Sequence, residues 1–293
     1  MDIASLRLFQ RIAQRDAIGQ AARDLGLSPA TASARLSALE ASLGVRLFNR
    51  TTRAVSLTSD GAAFLPYAQN ALELLDDGVS TVAGAERDPS GRLRMTMSGS
   101  FGRMHVLPLL GSFAARYPDI SLDLQLSDDM QDLIAGAYDL AIRNAALVDS
   151  TLVARKLADD ERILVASPSY LAAAGTPQTP SDLIRHRCII NDDKQRWSFT
   201  DGTTIKVADH FRINDGEGAR LAAEADLGIT IKSRWNAYQS LRQGRLVQVL
   251  ADFPLASDTA LWAVMPPGRL MPPKVRVMVD YLVDQFGPEP YWV

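Results

Sequence analysis

The sequence predicts an α/β protein built from an N-terminal all-α head, a long linking helix and a larger C-terminal body of two α/β units. Three observations predict it: apolar residues at helical spacing through the first 43 positions, a further helical stretch from Ser59 to about Ala85, and alternating strand and helix patterns beyond Gly91. At 293 residues the chain exceeds one ordinary domain, and its 47% hydrophobic content is enough for full cores. No stretch reaches the roughly 18 apolar residues of a membrane span. The first residues lack the basic start and apolar run of a secretion signal, so a cytoplasmic protein without membrane contact is expected. The one cysteine, Cys188, excludes an intrachain disulfide, and beside Ile189 and Ile190 it reads as a buried strand thiol.

Charge is divided unevenly. Residues 1–58 hold eight Arg, no Lys and four acids, a balance of +4, whereas the whole chain carries −3. A basic head on an acidic body directs only the head toward a polyanion.

Within the head, Leu6, Phe9 and Ile12 space a first helix from about Ala4 to Gln14, and Ile18–Asp24 a second. Gly26 can take the left-handed conformation that ends a helix, Ser28 is a good N-cap, and Pro29 suits the first helical position. A helix–turn–helix results, its last helix running from Pro29 to about Leu43. Ala32, Leu36, Leu39 and Leu43 form its buried stripe. Opposite lie Ala30, Ser33, Ala34 and Ser37, with Thr31 and Arg35 on the flanks. Such a small face is either simply solvated or lets the helix sink into a major groove, where methyl groups meet thymine methyls. From Leu43 to Thr58 the pattern alternates like a β-hairpin. Its tip carries Arg50 and Arg53 beside Thr51 and Thr52, groups that can follow phosphates or enter a minor groove.

In the linking helix, Phe64, Ala68, Ala71, Leu75, Gly78 and Val82 follow the spacing of a short coiled-coil seam. The alternative is one amphipathic helix packed on its own domain. A helix of about 25 residues between two domains has little else to cover its stripe, which favours a homodimer seam. Pro66 should kink or locally open it, and Asp88-Pro89-Ser90-Gly91 ends it as a hinge.

The body reads strand (Arg92–Ser98), helix (Phe101–Tyr117), strand (Ile120–Leu126), short helix (Met130–Gly136) and strand (Asp139–Arg143), by default a parallel sheet. A second unit begins near Ile163, with strands near Cys188–Asn191, Thr204–Val207 and Gly228–Lys232 and a helix at about Gly216–Ala225. Leu261–Met265 and the helix Lys274–Phe286 return to the first unit. Ligands of open α/β sheets sit at the carboxyl ends of strands. That rule selects Ser98, Ser100, Phe101 and Gly102; Ser127 and Asp128; Arg143 and Asn144; Ser167; Asn214 and Asp215; and Thr230 and Lys232. The turn at Ser98 is either an ordinary N-cap or a cradle of free amides for a carboxylate. Arg143 is either a cleft cation or half of an ion pair with Asp139 or Asp128, and Lys232 either lines a pocket or is solvated. A small organic anion or aromatic acid held between the lobes is the expectation.

Catalysis has no support in the residues. His105, His186 and His210 are dispersed, and no nucleophile elbow or phosphate-binding loop occurs. The pairs Asp128-Asp129 and Asp192-Asp193 read as solvated turns, so no cofactor and no metal are expected.

One long ungapped pattern unites the head: Ala21-Ala22, Leu25 to Ser33, Leu39-Glu40, Leu43 to Arg53, Leu57-Thr58 and Gly61. It resembles the signature of LysR-type transcription regulators. The resemblance implies a winged helix-turn-helix over 1–58, a linker and dimerisation helix over 59–87 and an effector-binding domain over 88–293. That domain would resemble periplasmic binding proteins, with lobe I at about 92–162 and 267–293 and lobe II at about 163–266. The softer matches there are Tyr117-Pro118, Asp139 to Arg143, Val165 to Pro168 and Leu227 to Ile229. Double-stranded DNA with a pseudo-palindromic operator is the implied partner, contacted by Ser28 and Pro29 as well as the outer face and wing named above. Tetramers, and RNA polymerase contact in an activator, belong to the same implication. Pro29 and Ala34 stand where the family often has Gln and Arg, so base readout is expected to lean on Thr31, Ser33, Arg35 and DNA shape. Thr230 and Lys232 stand where apolar residues are usual. The rival readings are an architectural DNA binder without sensing, an enzyme, and a solute-binding protein, the last opposed by the basic head.

Overall fold

Asp2 begins the first helix, α1 (Ile3–Arg15), by accepting a hydrogen bond from the Ser5 amide at 2.7 Å. The computed structural model describes residues 1–50, 55–83, 88–129, 133, 136–146, 152–191, 195–267 and 271–293, and the chain divides into two units, Met1–Gly91 and Arg92–Val293. Helix α2 (Ile18–Asp24) packs on α1 through the fully buried Ala21 and Ala22. Gly26, at φ +65°, then makes the reversal that side chains resist. The Ser28 hydroxyl accepts from the Thr31 amide at 3.1 Å and starts α3 (Pro29–Leu43), whose Ala32, Leu36 and Leu39 are buried and Leu43 half-buried. Strands β1 (Phe48–Arg50) and β2 (Val55–Leu57) pair antiparallel, with Phe48 opposite Leu57. The expected tip residues Thr51, Thr52 and Arg53 lie outside the described residues.

Helix α4 (Ser59–Ala83) runs without interruption past Pro66. Its start is fixed by Thr58, whose hydroxyl accepts from the Gly61 amide at 2.9 Å and donates to the Arg46 carbonyl at 2.6 Å. The expected seam needs correction. Ala68 is buried in the head core together with Leu72, and Phe64 packs there 5.5 Å from the ring of Phe9, because the first turns of α4 lie against α1. The stripe left exposed runs beside those residues, through Tyr67, Ala71, Leu74, Leu75, Gly78 and Val82.

In the second unit the chain forms β3 (Gly91–Met97), α5 (Gly99–Phe101), a π turn (Gly102–Val106), a 3-10 turn (Leu107–Leu109), α6 (Leu110–Arg116), β4 (Ile120–Leu126), β5 (Leu140–Ala146) and β6 (Val153–Asp159). It then crosses to a second lobe: β7 (Arg162–Ala166), α7 (Pro168–Ala174), β8 (Cys188–Asn191), the hairpin β9 (Arg196–Ser198) and β10 (Thr204–Lys206), β11 (Asp209–Ile213), α8 (Gly216–Glu224), β12 (Ile229–Ser233), α9 (Arg234–Arg242) and β13 (Val247–Val249). Finally β14 (Thr259–Met265) and α10 (Pro273–Phe286) return to the first lobe.

The two five-stranded sheets have the orders β4-β3-β5-β14-β6 and β11-β8-β12-β7-β13. Both are mixed, where a parallel sheet was the default. β14 re-enters from the other lobe and runs antiparallel to β5 and β6, and β7 runs antiparallel to β12 and β13. The return to lobe I therefore comes at Thr259, with the strand read over Leu261–Met265 and ahead of the lobe boundary expected near 267. The expected single helix from Phe101 to Tyr117 is broken into four pieces. Pro108 lacks an amide to continue the ladder, and Gly102 presses so closely on the sheet that a Cβ there would lie 2.5 Å from Leu126 Cδ2. Of the expected helix Met130–Gly136, most residues lie outside those described. Among the described residues no helix is long and apolar enough to cross a membrane.

A Cβ on Gly61 would stand 2.1 Å from the carbonyl oxygen of Leu47, a backbone atom that cannot rotate away. Gly61→Ala must push α4 off the hairpin, at a cost of about 1–3 kcal/mol. Hydrogen–deuterium exchange should therefore quicken across α1 while β5 and β14 keep their protection; unchanged exchange in α1 would refute this packing.

Candidate functional site

The outer face of α3 is largely exposed. Ala30, Thr31, Ala34 and Ser37 are exposed, Ser33 and Arg35 are half-buried, and Ser28 and Pro29 are exposed at the helix start. The Ser28 and Thr31 hydroxyls hydrogen-bond each other at 2.8 Å, which holds both at the first turn. Arg35 lies close enough to Asp2 to help hold its carboxyl below the usual range, after the larger effect of the Ser5 hydrogen bonds. Helix and wing are joined by Glu40, which sequence reasoning did not single out. Its carboxylate accepts from the amides of Leu47 and Phe48 at 2.9 and 3.3 Å. The backbone of Arg50 lies in β1, opposite Val55.

In the body, the expected cradle at Ser98 is filled from within. The Gly99 amide donates to Asp128 Oδ1 at 3.0 Å, the Phe101 amide to Ser98 Oγ at 3.4 Å, and the Gly102 amide to the Ser98 carbonyl at 2.9 Å. Asp128 thus stands where an anion was expected, and Ser100 is buried behind it. Ser127 accepts from the Asp129 amide at 3.2 Å and shapes the same loop.

Phe101 is core, not cleft. Its ring lies 5.1 Å from Trp235 and 5.8 Å from Phe286 and is 1% exposed. Trp235, from α9 of the other lobe, is thereby part of the lobe I core. His105 beside it is pulled down to about 4 by burial and stays neutral. Its rings contacts fix the tautomer: Nε2–H donates to the Trp235 carbonyl at 3.1 Å, and Nδ1 accepts from the Tyr291 hydroxyl at 2.6 Å. Ser167 also leaves the predicted set. β7 runs antiparallel to β12, with Val165 opposite Thr230 and Arg162 opposite Ser233, so β7 ends toward the start of β12, away from Lys232 at its end. There Ser167 caps α7 and hydrogen-bonds Asp226.

Of the remaining residues, Asn144 and Thr230 line a cavity between the lobes. Asn144 donates from Nδ2 to Asp160 Oδ2 at 3.0 Å and to Ser233 Oγ at 3.1 Å. Asp160 Oδ2 also accepts from Ser233 at 3.0 Å and from Thr259 at 2.9 Å, with Arg162 at 4.0 Å. Burial raises the Asp160 carboxyl, and the cationic Arg162 and these donors oppose that rise. The cavity, of about 490 Å³, opens beside this cluster, lined by Asn144, Arg162, Asn191, Arg196, Trp197 and Thr230 among others. Thr230 donates to the Ile189 carbonyl at 3.1 Å. Asn214 and Asp215 are exposed at the start of α8, where Asp215 caps the Gly218 amide. Across the lobes, Arg103 of the π turn pairs with Glu217 of α8 at 2.6 Å.

Arg143 and Lys232 have no carboxylate salt bridge among the described residues. Arg143 hydrogen-bonds Thr96 Oγ1 at 3.2 Å, while the partners expected for it are engaged elsewhere: Asp128 by Gly99, and Asp139 by the Arg94 amide and Lys274. Burial lowers the Arg143 guanidinium from its ordinary value, opposed by Asp128. Lys232, 5% exposed, donates to the Gly216 carbonyl.

A DNA-binding head joined to a two-lobed sensor body is the class of protein these features define. The bacterial regulatory helix-turn-helix family of LysR type matches residues 3–62, and the LysR substrate-binding domain matches residues 86–287. A HTH-type transcriptional regulator of Xanthomonas campestris is 35% identical over 98% of this chain and 86% of its own length. The regulator DmlR of Escherichia coli is 33% identical over 96% and 94%. Among solved structures, CrgA of Neisseria meningitidis, a LysR-type transcriptional regulator, aligns with TM-score 0.60 at 29% identity over 98% of this chain and 99% of its own. The virulence activator AphB of Vibrio cholerae aligns with TM-score 0.59 at 28% identity over 97% and 99%. The chain belongs to the LysR-type transcription regulators, a family of oligomeric DNA-binding proteins that respond to small effectors and are not enzymes.

Asp160→Ala would leave three buried donors without their acceptor, at a cost of about 3 kcal/mol. Asp160→Asn, which keeps one carbonyl, should cost less than half of that. Urea unfolding followed by tryptophan fluorescence checks both values, and an Ala variant as stable as the parent would contradict this account of the crossing.

Proposed function

We propose that the head seats α3 in a major groove, with Ala30, Thr31, Ser33, Ala34 and Ser37 toward the bases and Arg35 at the flank. Ser28 and Pro29 approach the backbone at the helix start, and Arg50, Thr51, Thr52 and Arg53 follow phosphates or the minor groove. Two copies pair along α4 over a pseudo-palindromic operator, and the body binds a small organic anion between its lobes, from the cytoplasm. In this reading the head ends near Thr58, the linker near 87, and the effector domain fills the rest. Pairing of dimers into tetramers, and contact with RNA polymerase if the protein activates, follow from family likeness.

The observation that carries the reading is the conjunction of a largely exposed α3 face with a two-lobed body in which Arg143 and Lys232 have no carboxylate salt bridge among the described residues. Selection from random-sequence DNA, followed by base-by-base substitution of the selected site, tests the DNA half. Losses of about 1–3 kcal/mol per altered pair should appear both opposite α3 and where the minor groove widens. Failure to enrich any sequence would overturn specific binding. Losses confined to bases facing Ala30 and Ala34 would overturn the shape-reading part.

Pairing along α4 rests on its exposed stripe, where Leu74 is 74% and Val82 83% exposed. Burying one leucine from each copy contributes about 1.5–3 kcal/mol per side chain. Leu74→Asp should then weaken self-association by at least about a hundredfold. Analytical ultracentrifugation reads this directly, and an unaltered dimer would place the interface elsewhere.

A further inference from the structure

Lys232 occupies the middle strand of the lobe II sheet. Its cross-strand neighbour is Ile163, and Thr230, two residues back, pairs with Val165 and Ile189. Those three apolar residues pack with Ala219, Ala222 and Ala237 of α8 and α9, so Lys232 projects into the layer between sheet and helices. An ammonium in such a layer is costly unless its charge is met.

Among the described residues it is not met. The Nζ donates to the Gly216 carbonyl, one bond for three donors. Asp215 and Asp160 attract it from a distance, and Arg162 and Arg220 repel it. The nearby acids are spent on other groups: Asp215 on the Gly218 amide, Asp160 on Asn144, Ser233 and Thr259, and Glu217 on Arg103 and Arg220.

A second donor converges on the same point. A Cβ on Gly216 would lie 3.5 Å from Lys232 Nζ and 3.7 Å from Asn191 Nδ2, so both groups face the bare backbone where α8 begins. The nine-residue α8 directs the positive end of its dipole to that point. Asn191 and Thr230, which flank Lys232, both line the interlobe cavity. Asn191 Oδ1 is buried without a hydrogen-bond partner among the described residues.

We infer that Lys232 and Asn191, beside the start of α8 that Asp215 caps, form an anion subsite on lobe II that takes a carboxylate of the effector, with Lys232 as its charge-determining group. The inference rests on the anion reading of the cleft given above. It carries a linkage of definite sign. Burial brings Lys232 down to about 7. A bound anion favours the ammonium, so binding takes up a proton and weakens as pH rises above 7. In the free protein the unfolded chain keeps this proton to higher pH than the folded one. Lys232 therefore penalises the fold below pH 7, and stability gained as pH climbs through 7 toward the ordinary lysine value is its contribution.

The test uses the full chain with sodium acetate, glycolate, succinate and benzoate, against chloride at matched ionic strength. Melting temperatures and calorimetric affinities are read at pH 6 and pH 9. At least one carboxylate should stabilise the protein at pH 6 and bind about tenfold more weakly at pH 9. Lys232→Met should lose about tenfold in affinity at pH 6, lose the pH dependence, and melt no lower than the parent without ligand at that pH. Calorimetry of the unmodified protein near pH 8, in two buffers of different ionisation enthalpy, should show proton uptake on binding, which needs no variant to fold. Carboxylates that bind both proteins alike, without proton uptake, would overturn the role of Lys232 and leave the anion reading standing. A response to neutral or cationic compounds alone would overturn both.

Discussion

Asp160 is buried where the chain first passes between lobes, and its Oδ2 receives Thr259 from the second passage. Asn144 from lobe I and Ser233 from lobe II donate to the same oxygen. A carboxylate removed from water is held at a cost that only such converging donors offset. Its position therefore requires the ends of β5, β12 and β14 to meet within hydrogen-bond distance of one atom. The cavity beside it inherits that precision: Asn144 and Thr230 line it from the two lobes because the crossing sets where their strands end. Trp235 adds a second attachment by entering the aromatic core of lobe I from α9. Compared with these buried links, the exposed pair of Arg103 and Glu217 contributes little and is the easiest to part.

The head was legible in the sequence because its determinants are local. Ser28, Gly26 and Pro29 act within a few residues of where they stand, and the buried stripe of α3 repeats at a fixed interval. The body was legible in outline only. β6, β9, β11 and β13 were missed because they are short or are exposed edge strands, β6 being open to solvent from Val153 to Lys156, and edges show weak alternation. The strand-end rule drew Arg143, Asn144, Thr230 and Lys232 toward the cleft, yet it also took Ser167. It could not do otherwise, since the direction of β7 depends on pairing that no local pattern encodes. Asp160 and Thr259 stand 99 residues apart, and neither belongs to a motif.

The bare face of α3 gains a physical sense from Glu40. Its carboxylate ties the amides of Leu47 and Phe48 to the end of the helix, which fixes the spacing of wing and helix that the proposed docking uses. A reader that lacks long polar side chains on the helix gains from such rigidity, because shape readout depends on the distance between groove and wing being fixed. Pro29 and Ser28 serve the same end by setting the helix start without flexible side chains.

Adjacency along the chain connects ligand charge to lobe geometry. Lys232 is followed by Ser233, which hydrogen-bonds Asp160 at the crossing. The Gly216 carbonyl that Lys232 holds is followed by Glu217, which reaches Arg103 of the other lobe. An anion that draws the Lys232 ammonium off Gly216 therefore acts one residue from each of these two lobe-to-lobe contacts. It needs no chain of side chains to carry the effect, because two peptide bonds suffice. A ligand shifts the balance between lobe arrangements only by the difference in its affinity for them. In the proposed subsite that difference would be felt at Lys232, which stands next in the chain to Ser233 and holds the carbonyl next to Glu217.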